Sequence, residues 1–360
     1  MRNQVVFQLI IIFFIVLIVL IKQKGKVAWR DKFFYKSIPW LVFFVLFNSL
    51  YGAILEHQWF QILIDSYKYL EIIVYYFLFR ICWNDNISLF KGLKSICFIM
   101  IFVGIIELFI TARGGIGLNL VMSFLPIILL LGANGYIKYY KIILIISSLI
   151  VFLCQTRTYI VCFLIGFILT LFNIRKDKRN KIIFVVFVLG IITFVGISLG
   201  NSALFYDTIS RFTELTNGFS KSGGYRIDEY IIALNKFVES PIFGNGFGYL
   251  EFLFINKMGW MYWGDFIHCV YIEILFKTGI FGFVSIVMIV SNFVSKIYKK
   301  IKYLKKQNVF IFSICCGSVI SFFVWLLTYT FAPLNTYGSI FIGLLVASIA
   351  LSNYHDKFKV

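Results

Sequence analysis

The chain has 360 residues, 61% of them hydrophobic, 20% aromatic and 14% charged, with a formal net charge of +18. No soluble domain needs that much apolar surface, and the basic excess does not form a nucleic-acid face. It lies in short clusters between apolar runs, at residues 22–36, 80–94, 138–141, 175–181 and 296–306, the pattern of Lys and Arg retained in cytoplasmic loops of a membrane protein.

A hydrocarbon core of roughly 30 Å needs about 20 apolar residues of helix. Runs of that kind predict spans at about 5–21, 38–55, 67–82, 94–112, 117–136, 142–155, 158–174, 182–200, 275–295, 308–331 and 337–352. The run 5–21 lacks a small-residue cleavage site and Lys22 follows it directly, so it reads as a retained span rather than a signal peptide. Pro126 and Gly104 fall inside spans, where kinks are tolerated if neighbours satisfy the freed backbone. Glu71 and Glu107 also fall inside spans and are expected to face the bundle interior, with Arg113 near the second. Cys97, Cys154, Cys162, Cys315 and Cys316 sit in apolar runs without a CxxC or Cys/His spacing, so they read as small hydrophobes.

The fold class that follows is an all-α integral membrane protein of about eleven transmembrane helices. Alternating sides from the basic loops puts the N-terminus outside and the C-terminus inside. Residues 1–200 supply about eight spans, residues 201–267 one large extracytoplasmic loop with short helices, and residues 268–360 the last three spans.

The loop is long, nearly neutral, and too regular in pattern for a tether. In "GYRIDEYIIALNKFVES", Ile227, Tyr230, Ile231, Leu234 and Val238 share one helical face. Gly223 and Gly224 are expected to precede this helix and Pro241 to stop it. "PIFGNGFG" follows. No βαβ unit surrounds its glycines, so a phosphate loop gives way to a tight turn that lets the loop pack on membrane helices.

Three residues stand out on the external side. Arg157, in "LCQTRTYIVCFLIGF", sits at the outer end of a span, where it either snorkels to headgroups or lines a cavity with Gln155, Thr156 and Thr158. Arg226 opens the loop helix. It forms a surface pair with Glu229 or Tyr230, or presents a guanidinium fork to a phosphate, with Tyr225 beside it as a substrate contact. His268 marks the change from polar loop to membrane helix, with Asp265 placed to orient its ring and Glu273 five residues on. A neutral imidazole can take a proton in a transition state. His57 and His355 carry no expected role.

The order of these features resembles the O-antigen polymerase and O-antigen ligase superfamily. Its elements here are Arg226 at the head of the loop helix, then P-x-x-G-x-G-x-G, then His268, then "YIEILFKTGIFG" with Glu273 and Gly279-Ile280-Phe281-Gly282. Thr156-Arg157 resembles the family's arginine near an outer helix end, and Cys269 stands where the family has Asn after the histidine. The close part of the resemblance covers residues 224–283.

It implies a metal-independent glycosyltransferase without cofactor. Its substrates would be polyprenyl-diphosphate-linked oligosaccharides at the outer face of the cytoplasmic membrane, with membrane lipid around it and no nucleic acid. A flippase and a chain-length regulator are the implied protein partners. His268, Arg226 and Arg157 would be catalytic. Arg157, Arg226, Asp265, Glu273 and Tyr225 would contact substrate. The leading expectation is a repeat-unit polymerase. A ligase of the same chemistry and a flippase for lipid-linked oligosaccharide are the alternatives; a flippase would favour an inverted repeat, which the sequence does not display.

Overall fold

The computed structural model describes residues 32–82, 91–96, 98–99, 101–102, 105–106, 116–153, 157–200, 221–255, 260–264, 269–328, 344–345 and 348. Its helices are α1 (Lys32–Ile54), α2 (Trp59–Cys82), α3 (Ile116–Ala133), α4 (Tyr140–Leu153), α5 (Arg157–Leu171), α6 (Lys176–Gly200), α7 (Lys221–Glu239), α8 (Val270–Gln307) and α9 (Val309–Thr328). Between α7 and α8 lies an antiparallel hairpin of β1 (Glu251–Ile255) and β2 (Trp260–Gly264), in which Leu253 faces Tyr262.

Helices cover the expected spans from 38–55 to 308–331 wherever those fall on described residues, with ends that move by several residues. The span at 67–82 starts earlier, at Trp59. The spans 5–21 and most of 94–112 and 337–352 lie outside the described residues, as do Gly104, Glu107 and Arg113. The loop differs from expectation in two respects. It holds the hairpin as well as a helix, and that helix starts at Lys221, so Gly223 and Gly224 lie within its first turn. Pro241 follows its end as expected.

By length and composition, Val270–Ser291 can cross a membrane; Pro39–Ile54, Ser123–Ala133, Tyr140–Val151, Tyr159–Leu171 and Val309–Trp325 are shorter apolar stretches. The chain forms two compact units, one of residues 1–86, 224–303 and 329–360, the other of 87–223 and 304–328.

In the second unit α3 packs against α4, α5 and α9. Small residues let these helices approach. A Cβ on Gly317 would stand 2.7 Å from the Ile127 Cα, and one on Gly166 2.8 Å from Val324 Cγ2. Leu125, Leu129, Phe163, Phe167 and Val324 fill the core between them. Asn134 Nδ2 donates to Ser313 Oγ at 2.8 Å, and the Lys178 ammonium donates to the Ala133 carbonyl. Cys162 and Cys315 are buried and free, in agreement with their reading as small hydrophobes.

In the first unit α1 and α2 pair, with the Ser49 and Ser66 hydroxyls 2.7 Å apart. Phe44, Tyr69 and Phe247 form a buried ring cluster, with Tyr69 stacked on Phe247 at 5.3 Å. Phe247 belongs to the turn "PIFGNGFG", which docks into a break in α8. Gly279 there adopts φ 64°, ψ −169°. A continuous helix would bond the Ile280 and Phe281 amides to the carbonyls of Phe276 and Lys277. Instead those amides donate to Pro241 and Ile242 at 2.9 and 3.0 Å, while Phe276 and Lys277 accept from the amides of Asn245 and Gly246 at 3.1 and 2.8 Å. The Asn245 side chain adds a second donor to Phe276, at 2.8 Å. The turn thus takes up two amides and two carbonyls at the break, groups that a water-poor setting would otherwise leave unpaired.

The glycines make this approach possible. Gly244, Gly246 and Gly248 have positive φ, and a Cβ on Gly52 of α1 would lie 2.1 Å from the Phe247 carbonyl oxygen. The expected tight turn that packs the loop on the helices is what the structure contains.

Gly279→Ala puts a side chain into left-handed backbone and sets its Cβ 2.3 Å from Ile242 O and 2.5 Å from Gly244 N. At φ 64°, ψ −169° the backbone is in a region essentially reserved for glycine, which alone costs about 1–3 kcal/mol, and the clash with fixed backbone adds to it. A clear drop in Tm of the detergent-purified protein is expected. Gly190→Ala, with nothing within 4 Å on α6, should leave Tm unchanged or slightly raised. Equal Tm for wild type and Gly279→Ala would mean that the turn is not held at the break.

Candidate functional site

Beneath the docked turn the first unit buries a set of charges. Asp65 on α2 is 1% exposed and Lys277 on α8 is 2% exposed. The Lys277 ammonium donates to both carboxylate oxygens of Asp65, at 2.8 and 2.7 Å. The Gly248 amide donates to Asp65 Oδ2 at 2.9 Å, so the turn is bonded directly to the ion pair. Lys68, one turn along α2, reaches Asp65 Oδ1 at 3.1 Å and Glu273 Oε1 at 3.8 Å. The Tyr67 hydroxyl donates to Glu71 Oε1 at 3.1 Å, and Glu71 is buried, as expected for an acid within a span.

Local sequence accounts for the cluster. Asp65, Lys68 and Glu71 in "DSYKYLE" recur every three residues and so fall near one side of α2. Glu273 and Lys277 lie four apart at the start of α8, one turn above the other. The Glu273 amide closes the first turn of that helix on the Cys269 carbonyl at 2.8 Å.

Asp65 and Lys277 were not among the residues singled out from sequence. The signal available is a charge inside each apolar helix, but the apolar run of α2 begins at residue 67 and leaves Asp65 in the preceding loop. Lys277 stood in a motif read for its acid and its glycines.

The sequence-predicted residues fall as follows. Glu273 is buried, with Oε1 3.8 Å from the Lys68 ammonium. Arg226 and Tyr225 lie in α7 of the first unit, and Arg157 is the first residue of α5 in the second; their side chains lie outside the described residues. Asp265 and His268 lie outside the described residues, between the end of β2 at Gly264 and Cys269 at the start of α8.

His57 departs from expectation. Its Nδ1 is 2.9 Å from the Phe247 carbonyl, and its ring packs on Tyr249 at 5.5 Å. A carbonyl only accepts, so Nδ1 carries the proton and His57 ties the α1–α2 connection to the turn. His57→Ala therefore removes a bond worth about 1 kcal/mol and is no silent control.

Residues 142–287, less than half of the chain, match the family model described as O-antigen ligase. The match supports the O-antigen ligase and polymerase superfamily that the motifs resemble. It takes in Arg157, Arg226, His268, Glu273, Lys277 and Gly279, and leaves Asp65 outside. Members of this family are integral proteins of the cytoplasmic membrane and glycosyltransferase-like enzymes that act on lipid-linked glycans. No curated protein matches the chain.

Breaking a buried ion pair from one side costs about 3–5 kcal/mol, because the remaining charge stays buried. Asp65→Asn is therefore expected to destabilise the protein strongly, since both Lys277 and Lys68 lose their carboxylate. Asp65→Asn combined with Lys277→Met should recover part of that loss in thermal unfolding in detergent. A single Asp65→Asn variant as stable as wild type would show that the cluster does not hold the turn.

Proposed function

We propose that the chain, carrying this O-antigen ligase domain, is a polymerase. It joins polyprenyl-diphosphate-linked oligosaccharide repeat units into a surface polysaccharide at the outer face of the cytoplasmic membrane. The observation that carries the reading is the family match across residues 142–287, which contains the Arg157, Arg226 and His268 motifs and the docked turn between the last two. The proposed topology has about eleven spans, with residues 201–267 outside and the basic clusters inside. Support comes from the packing of the turn on the C-terminal end of α1 and the N-terminal parts of α2 and α8, which are the helix ends assigned to the outer side.

The reaction is a glycosyl transfer. A hydroxyl oxygen of the acceptor unit attacks the anomeric carbon of the donor glycan. The bond from that carbon to the diphosphate oxygen breaks, and polyprenyl diphosphate leaves with the electron pair. His268 takes the proton of the attacking hydroxyl, oriented by Asp265. Arg226 and Arg157 stabilise the charge that grows on the departing diphosphate, because a planar guanidinium binds phosphate oxygens in pairs. Tyr225 lies next to Arg226 and contacts the substrate. Glu273 acts one step away, through Lys68 and the packing at the start of α8. No metal is assigned a role.

A ligase is the second reading, favoured by the description of the matching family. The two differ in the acceptor. Purified protein given only lipid-linked repeat units should build a ladder of increasing chain length on a gel; a ligase leaves those units unextended until a different acceptor is added. A flippase and a chain-length regulator remain the proposed partners in the cell.

General-base help is worth about 10²–10⁴-fold, so His268→Gln should give a folded, inserted protein that makes little polymer, with His355→Ala as the unaffected control. Activity should rise with pH as the imidazole loses its proton, since only the neutral ring accepts one. Arg226→Lys and Arg157→Lys keep the charge but lose the fork, and a sharp fall in output is expected from each. Wild-type rates for all three variants would remove the mechanism.

A cysteine at Ser220 should react with an impermeant reagent in intact cells, or in spheroplasts where an outer membrane blocks access. Labelling only after the cytoplasmic membrane is opened would put residues 201–267 on the wrong side for this chemistry.

A further inference from the structure

Helix α7 has an apolar stripe that the described residues leave exposed. Ile231 is 52% exposed, Leu234 40% and Val238 71%. At 3.6 residues per turn these three fall within about 60° of arc. The opposite side is buried: Glu229 and Ala233 are fully enclosed, and Ala233 packs with Phe276, Tyr230 and Tyr249. Beside the stripe, toward Asn235 and Glu239, the exposed surface turns polar, and Lys236 pairs there with Glu239 at 2.9 Å. The helix thus presents three sectors, one to the protein, one polar and one apolar.

The apolar sector continues past the end of the helix. Ile242 and Phe243 in the turn are exposed. The Phe243 ring meets Phe281 of α8 at 5.8 Å and Phe47 of α1 at 5.7 Å, and Phe47 meets Phe281 at 5.4 Å. Beyond Phe281 the exposed side of α8 carries Val284, Val287 and Met288, within the stretch long and apolar enough to cross a membrane. One apolar surface therefore runs from that stretch, through a cluster of three rings, onto α7.

We propose that α7 docks on the outer leaflet of the bilayer, with Ile231, Leu234 and Val238 in the boundary between headgroups and acyl chains and Glu239 turned to water. The occupant is lipid because the stripe is continuous with the outward face of a candidate membrane span, and because apolar and polar sectors side by side are the form of a helix lying in an interface. The inference rests on the membrane location of the family and, for the leaflet, on the proposed topology, not on the glycosyl-transfer reading.

A diazirine amino acid incorporated at position 231, 234 or 238 tests it, in protein reconstituted into vesicles of phosphatidylethanolamine and phosphatidylglycerol. After irradiation, mass spectrometry of the α7 peptide should find phospholipid adducts at each of the three, severalfold above those formed from the same probe at Glu239. Equal lipid adducts at position 239, adducts of water alone at the stripe, or cross-links to a second copy of the chain would each overturn the proposal. The readout needs no turnover. Lipid adducts in a preparation that makes no polymer would uphold the docking and count against the reaction; polymer without lipid adducts would do the reverse.

Discussion

The break in α8 at Gly279 is the constraint to which the first unit is built. A helix interrupted within an apolar stretch frees amides and carbonyls on either side of the break, and away from water each costs several kcal/mol if left unpaired. Here Pro241 and Ile242 accept from the amides of Ile280 and Phe281, and the amides of Asn245 and Gly246 serve the carbonyls of Phe276 and Lys277. The exchange joins two distant pieces of chain. It ends α7 at a fixed place, fixes where the chain leaves for the hairpin, and fixes the short helical segment that begins just after His268. The Gly-Ile-x-Gly motif is, in this light, the receptacle of the P-x-x-G-x-G-x-G motif.

Asp65 ties the same junction to α2. It accepts from one ammonium at both oxygens, from a second lysine, and from the Gly248 amide. A buried pair made of two charges alone is weak evidence for stability, since desolvation offsets attraction. A carboxylate with this many donors is better compensated, and removal of any partner leaves others uncompensated. Specificity of docking follows: the turn fits only where an acid meets its last amide and where Gly52 lets the Phe247 carbonyl approach. His57 adds a bond to that carbonyl from the other side.

Most of the helical framework was legible as hydropathy, because length and apolarity decide where a chain can cross a membrane. The docking role of "PIFGNGFG" was legible too, since closely spaced glycines without a βαβ setting mean a turn rather than a phosphate cradle. The hairpin was not. "EFLFI" and "WMYWG" are short apolar runs among others, with no Asn-Gly between them to mark a two-residue turn. Asp65 is not legible because hydropathy fades gradually: the apolar run begins at residue 67, while α2 begins at Trp59. Lys277 carries no signal of its own within "YIEILFKTGIFG"; only the placement of Asp65, 212 residues away in sequence, makes it internal. Periodicity groups Tyr230 with Ile231, Leu234 and Val238, but it cannot tell a stripe that meets protein from one that meets lipid, and the structure turns Tyr230 inward and the other three outward.

The anchor and the proposed interfacial helix bear on one another. Arg226 lies fourteen residues before Ser240, so α7 carries it about 20 Å from the docked turn. Packing of Glu229 and Ala233 holds the inner side of the helix, and the freedom left to it is a movement of its outer side away from the bilayer. A lipid-facing stripe along the helix removes that freedom in one direction, because lifting Ile231, Leu234 and Val238 out of the interface exposes apolar surface to water. The diphosphate of a polyprenyl-linked glycan sits at the same depth, where the acyl region ends. An arginine on a helix so docked would be held at the level of the charge it is proposed to meet, while the start of α8, which His268 adjoins in sequence, is held by the docked turn itself.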